Sequence, residues 1–101
     1  MRALLLTFFL LLAAGQQAIA EDVAVPIKNF AFAMDVTVPP GSIVTWTNLD
    51  DEPHTVVSTD GLFRSPALDQ NDSFSFKFDK PGVYKYICSI HPKMQATVTV
   101  K

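Results

Sequence analysis

Short runs in which apolar and polar residues alternate, separated by Pro, Gly, Asn or Asp, make up most of the chain after residue 21. The clearest run reads Ser-Phe-Ser-Phe-Lys-Phe over residues 73–78 and places three aromatic rings on one face. Alternation with a period of two indicates half-buried β-strands. The same pattern predicts strands over residues 22–27, 35–38, 43–48, 54–58, 84–88 and 96–100.

About seven short strands without a convincing helical segment predict an all-β fold. An antiparallel sandwich and a small Greek-key barrel both satisfy this pattern. Residues 59–72 form the least regular stretch, and a loop or a single helical turn is expected there. Met34 has no potential metal ligand beside it and is interpreted as a packing residue, either in the core or elsewhere away from the signal peptide.

The N-terminal residues have the pattern of a secretory signal peptide. Arg2 supplies the positive start, residues 3–14 are almost entirely apolar, and Ala18-Ile19-Ala20 fits the small-residue cleavage pattern. The apolar run ends before the roughly 20 residues that a transmembrane helix requires. We therefore predict a signal peptide over residues 1–20 and a single domain over residues 21–101, exported to the periplasm as a soluble protein.

Length and composition exclude several classes of function. At 101 residues the chain is too short for a two-domain enzyme. Its formal charge of −2 provides no basic surface for a phosphate backbone, so we expect no nucleic-acid binding. Its single Cys cannot form an internal disulfide, although small exported domains usually need a disulfide or a metal to supplement a small core. A metal site is therefore a reasonable expectation.

The segment from Cys88 to Met94 contains the residues most suited to such a site. It reads Cys-Ser-Ile-His-Pro-Lys-Met, and His54 lies about thirty residues upstream. Singly, a Cys or Met of this kind is commonly core packing. Together, two imidazoles, a thiolate and a weak thioether are the donors that select copper for electron transfer. Four protein donors would leave no open coordination position, which argues against hydrolytic catalysis.

This donor pattern resembles that of the cupredoxins, the small blue-copper proteins, and the short Cys-x-x-His-x-x-Met loop most resembles that of the amicyanins. The resemblance runs from about Met34 to Lys101 and includes Pro-Gly-Ser-Ile-Val-Thr-Trp-Thr-Asn, Glu-Pro-His-Thr-Val and Pro-Gly-Val-Tyr-Lys-Tyr-Ile-Cys. It implies a Greek-key β-sandwich of about eight strands that binds one type 1 copper ion. The resemblance implies that His54, Cys88 and His91 are the equatorial ligands of the copper and that Met94 is the axial ligand.

The function implied by the resemblance is electron transport rather than catalysis. The copper would cycle between Cu(I) and Cu(II) and pass single electrons between redox proteins, such as a c-type cytochrome or a periplasmic dehydrogenase. We expect a monomer with no membrane span. Two alternatives remain open from the residues alone: a copper chaperone or storage module, which would favour exposed Met and His clusters, and a structural β-sandwich with an incidental thiol.

Two positions depart from the amicyanin pattern. Thr55 follows the first histidine, where these proteins commonly have Asn, but its hydroxyl can still donate and accept hydrogen bonds. Lys93 precedes Met94, where amicyanins have an aromatic residue. This charge would lie beside the apolar docking face that we predict around Pro53, Ile90 and Pro92.

Overall fold

The computed structural model describes residues 19–101. The signal peptide predicted for residues 1–20 therefore lies outside the described residues, apart from its last two. Eight strands and no helix occur in residues 19–101: β1 (Asp22–Lys28), β2 (Ala31–Phe32), β3 (Val36–Val38), β4 (Ser42–Asn48), β5 (Val57–Ser58), β6 (Ser73–Phe78), β7 (Gly82–Ile87) and β8 (Gln95–Val100). A search of the same residues for a helix that could cross a membrane finds none.

The strands form two four-stranded sheets packed as a sandwich. One sheet has the order β2-β1-β4-β6 and the other β3-β8-β7-β5. Each strand contributes one face to the core, because alternate side chains of a strand point to opposite sides of the sheet. In β4 the buried positions are Ser42, Val44, Trp46 and Asn48, and in β8 they are Ala96, Val98 and Val100. The all-β sandwich of about eight strands that the sequence predicts is confirmed.

Aromatic residues dominate the middle of this core. Trp46 is fully buried and its ring stacks on Phe63 at a centroid distance of 5.7 Å. Phe63 comes from the irregular stretch between β5 and β6, and its ring also lies 4.9 Å from that of Phe76. Tyr86 of β7 meets Trp46 edge-on at 5.2 Å, which joins the two sheets. The stretch over residues 59–72 is therefore a loop that closes the core rather than a helical turn.

Strand pairing differs from a purely antiparallel sandwich at two places. β1 pairs in parallel with β4, and β3 pairs in parallel with β8. Alternation within a strand fixes which side chains are buried, but it carries no information on the direction of a partner far away in sequence. The short strand β2 was not predicted, because two residues are too few to show an alternation of apolar and polar residues.

Two further expectations were wrong in detail. The strand predicted over residues 54–58 is reduced to β5, and His54 instead forms an isolated antiparallel bridge with Leu68. Met34 lies on the surface with 47% of its area exposed, so it does not pack in the core.

Candidate metal centre

His54 is held by a loop that begins at the end of β4. The side chain of Asn48 donates from Nδ2 to the carbonyl oxygens of Glu52 and Leu68, each at 2.8 Å. Its Oδ1 accepts the backbone N–H of Asp50 at 2.9 Å. His54 then exchanges two backbone hydrogen bonds with Leu68, at 3.1 and 2.7 Å. The buried side-chain amide of Asn48 therefore fixes the backbone of the loop that leads to His54. The side chain of His54 is fully buried.

Cys88, His91 and Met94 come from the loop between β7 and β8. Cys88 follows the last residue of β7 and is fully buried, while Met94 directly precedes β8 and is 5% exposed. The backbone closes this loop twice, since Cys88 donates to the carbonyl of Met94 at 3.1 Å and Met94 donates to that of His91 at 2.9 Å. Pro92 and Lys93 form the turn. The loop thus presents His91 between two anchored ends.

Three side chains from these two loops converge on one point. The Nδ1 atoms of His54 and His91 each lie 3.8 Å from the Sγ of Cys88. All three donor atoms lie within 4.8 Å of one another. Bonds of about 2.0 Å to nitrogen and 2.3 Å to sulfur, at trigonal angles, separate such donors by about 3.7 Å. The spacing and the chemistry of the donors therefore fit a copper ion bound by a thiolate and two imidazoles.

A buried carboxylate sets the orientation of the His54 ring. Asp50 Oδ2 lies 2.8 Å from His54 Nε2, and both side chains are shielded from solvent. Burial by itself would raise the pKa of Asp50, but the N–H groups of Phe30 and Asn29 and the imidazole of His54 outweigh it and lower this pKa. Asp50 is therefore ionised and accepts a hydrogen bond from the Nε2–H group, which turns Nδ1 towards Cys88 Sγ and the metal position.

The thiol of Cys88 is acidified by the groups around it. Burial alone would raise its pKa, but hydrogen bonds from the Thr55 N–H, the two imidazoles and the His91 N–H lower it to about 6. The Thr55 N–H lies 3.4 Å from Sγ. At neutral pH the copper-free protein therefore holds the thiolate, which is the form that binds a metal.

We expect the folding stability of the copper-free protein to fall as pH decreases from about 9 to about 6. The thiol has a pKa of about 6 in the folded protein and near the ordinary 9.0 in the unfolded chain, so its ionisation contributes to folding stability. This contribution is complete above pH 9, decreases as the pH falls, and is lost as the pH passes below 6. Thiolate absorbance in the ultraviolet should report a midpoint near pH 6. The Cys88→Ser protein supplies the baseline, and a midpoint near 9 in the folded protein would contradict this expectation.

Thr55 connects the two ligand loops, as the Asn at this position is expected to do in the amicyanin pattern. Its Oγ1 accepts the backbone N–H of Ser89 at 2.8 Å and lies 2.8 Å from the Ser89 hydroxyl. The shorter side chain is thus compensated by a second hydroxyl on the opposite loop. This link holds the His54 loop against the Cys88 loop next to the metal donors.

The structure brings the predicted residues to one end of the sandwich and adds two that the sequence did not reveal. Ile90 is 47% exposed and Pro92 is exposed, whereas Pro53, the third residue of the predicted apolar face, is half-buried. Asp50 and Phe30 had not been singled out. An Asp four residues before a histidine is a weak signal for a carboxylate that orients it, whereas no local pattern places Phe30 at the site.

Comparison with known proteins gives a consistent result. The family model of the Cupredoxin-like domain matches residues 1–100. Amicyanin-alpha from Methylorubrum extorquens is 38% identical over 96 residues, which cover 89% of this chain and 81% of the relative. The Cu(I) form of an amicyanin variant superposes with a TM-score of 0.74 at 27% identity, covering 88% of this chain and 90% of that chain. A purple cupredoxin from Nitrosopumilus maritimus gives a TM-score of 0.73 at 36% identity, covering 79% and 100%.

The two-sheet fold and the cluster of one thiolate with two imidazoles define a type 1 copper protein, and the chain belongs to the cupredoxin family. Within this family it is similar to the amicyanins, as its short ligand loop indicated. It binds one type 1 copper ion and carries electrons between redox partners, and it is not an enzyme. The predictions of family, cofactor and function are therefore confirmed.

Proposed function

We propose that His54, Cys88, His91 and Met94 would hold the copper ion, through two imidazoles, a thiolate and a thioether. The observation that carries this proposal is the distance of 3.8 Å from the Cys88 Sγ to the Nδ1 atom of each histidine. Met94 is buried at the closure of the same loop and is joined to Cys88 through the backbone. Copper bound here supplies the Cu(I)/Cu(II) couple.

The protein residues provide insulation and one route to the surface. Cys88 and His54 are fully buried, so neither side chain reaches solvent. His91 is partly exposed, and it is the ring through which an electron would enter and leave. Asp50 fixes the His54 ring and the two loop closures fix Cys88, so these two donors are positioned by the protein itself before any metal is bound.

The surface around His91 is suited to brief contact with a redox protein. Phe30 and Ile90 expose 48% and 47% of their area there. Charged side chains are exposed on the two loops that carry the donors, with Lys93 on the ligand loop and Asp51 and Glu52 on the His54 loop. We propose that the chain works as a monomer and exchanges electrons with a c-type cytochrome or a periplasmic dehydrogenase. These charges of both signs would help to orient such a partner.

We also propose that the protein is exported through its N-terminal segment. The signal pattern over residues 1–20 supports transport to the periplasm, with residues 21–101 as the single copper domain. The mass of the protein recovered from an exporting host tests this boundary directly.

We expect the copper-loaded protein to reduce a c-type cytochrome in a single-electron step that depends on the apolar face. Ile90→Glu places a charge within that face and should slow the second-order rate about tenfold, equivalent to about 1.4 kcal/mol. Val83→Glu is the matched control, since Val83 is 71% exposed and lies five residues before Cys88 on β7, about 17 Å along the strand. Stopped-flow absorbance measures both rates.

Equal slowing by both variants would show that overall charge, rather than this face, controls the reaction. A blue, copper-loaded protein that reduces no c-type cytochrome would exclude that partner and favour a dehydrogenase. Release of copper to an acceptor without electron transfer would instead support the chaperone alternative.

A further inference from the structure

Phe30 is an exposed aromatic residue that contacts both histidines of the metal centre. Its ring lies 5.2 Å from the His54 ring and 5.0 Å from the His91 ring, edge-on in both cases at 88° and 89°. The two imidazoles lie 5.1 Å from each other. The three rings therefore form one compact cluster, although Phe30 comes from the N-terminal hairpin and shares no loop with either histidine.

The backbone at Phe30 is sterically unfavourable. Lys28 pairs with Ala31, which leaves Asn29 and Phe30 as the two-residue turn between β1 and β2. Both turn residues have positive φ, 54° for Asn29 and 57° for Phe30. Turns of this kind favour Asn followed by Gly, because a Cβ atom is disfavoured in the left-handed region. A bulky aromatic residue thus occupies the position where glycine is preferred.

Asp50 holds this turn against the metal centre. Its Oδ1 accepts the backbone N–H of Asn29 at 2.8 Å, and its Oδ2 accepts that of Phe30 at 2.9 Å. The same Oδ2 lies 2.8 Å from His54 Nε2. One carboxylate therefore fixes both the unfavourable turn and the buried histidine, which gives the Phe30 ring a defined place beside the donors.

The two histidines differ in how much support they receive. His54 is fully buried and has the Asp50 carboxylate on its outer nitrogen. His91 is partly exposed on a turn, and within residues 19–101 its ring has no side-chain hydrogen bond apart from the 3.8 Å contact with Cys88 Sγ. The remaining neighbours of the His91 ring in this cluster are the rings of Phe30 and His54.

We propose that Phe30 is a positioning residue that orients the His91 ring before copper binds. This rests on the proposed role of His91 as a ligand. The contact explains why a bulky side chain is kept in a turn that favours glycine, since strained backbone persists where the surrounding structure and the site require it. A ring that is oriented in advance presents its Nδ1 atom to the metal without rearrangement.

The test measures the motion of each imidazole by NMR relaxation of its ring carbons at pH 8, in the copper-free protein. In the wild-type protein and in Phe30→Tyr, which keeps the ring, we expect the His91 order parameter to be near 0.85, the value of a rigid group. In Phe30→Leu, which keeps apolar bulk but no ring, it should fall below about 0.6. The His54 ring, held by Asp50, is the internal control and should stay rigid throughout.

Phe30→Gly gives an independent variant, because Gly is favoured at positive φ and the turn folds without strain. It should loosen the His91 ring as Phe30→Leu does. An unchanged His91 order parameter in both variants would overturn the proposal, and so would equal loosening of His54 and His91, which would indicate general disorder. The copper-free measurement does not depend on ligation, so failure of the ligand assignment would show separately as an unchanged copper spectrum when His91 is replaced.

Discussion

Replacing Cys88 with Ser is expected to abolish the visible colour of the copper-loaded protein completely. The intense blue band of a type 1 site arises from charge transfer between the cysteine thiolate and Cu(II), and a serine hydroxyl stays protonated and is a far weaker donor. Cys88 is the single cysteine of the chain, so no other thiolate could take its place. Visible absorption after addition of one equivalent of Cu(II) measures the effect.

Ser89→Ala is the matched control for this experiment. Ser89 is the next residue of the same loop, and its hydroxyl contacts Thr55 rather than the metal donors. The control protein should remain blue, which would separate loss of the thiolate from disturbance of the loop. A Cys88→Ser protein that stays blue would exclude Cys88 as a ligand.

The part of the fold that could be predicted from the sequence is the part encoded locally. Alternation over residues 73–78 identified β6, and the alternation of Val44 and Trp46 identified the buried face of β4. The parallel pairing of β1 with β4 joins residues about twenty positions apart, and no pattern within either strand encodes its direction. Pairing of this kind depends on how the whole chain packs.

The same distinction applies to the metal centre. Cys88, His91 and Met94 could be proposed as ligands because they share one short loop with a recognisable spacing. Asp50 and Phe30 act through contacts made only in the folded chain, since the hydrogen bonds from the Asn29–Phe30 turn to Asp50 span about twenty residues. Candidate ligands on one loop can therefore be proposed from spacing, whereas the residues that contact and orient them can be found only in the structure.

Copper is expected to raise the thermal stability of the protein substantially. The donors come from two loops, with His54 and Cys88 separated by 34 residues in sequence, so the unfolded chain does not hold them together. A ligand that binds only the folded state stabilises it by about 4 kcal/mol when present at a thousand times its dissociation constant. For a domain of this size, about 4 kcal/mol corresponds to an increase in Tm of roughly 15–30 °C.

Differential scanning calorimetry of the copper-free and copper-loaded proteins measures this increase. The Cys88→Ser protein serves as the control, because it keeps both histidines and Met94 but lacks the thiolate, and its Tm should respond much less to copper. Equal melting temperatures for the two forms of the wild-type protein would contradict the prediction. Such a result would mean that the unfolded chain binds copper as tightly as the folded protein. Folding, however, brings Sγ to 3.8 Å from each Nδ1 atom before any metal is bound. The folded protein is therefore expected to bind copper more tightly than the unfolded chain.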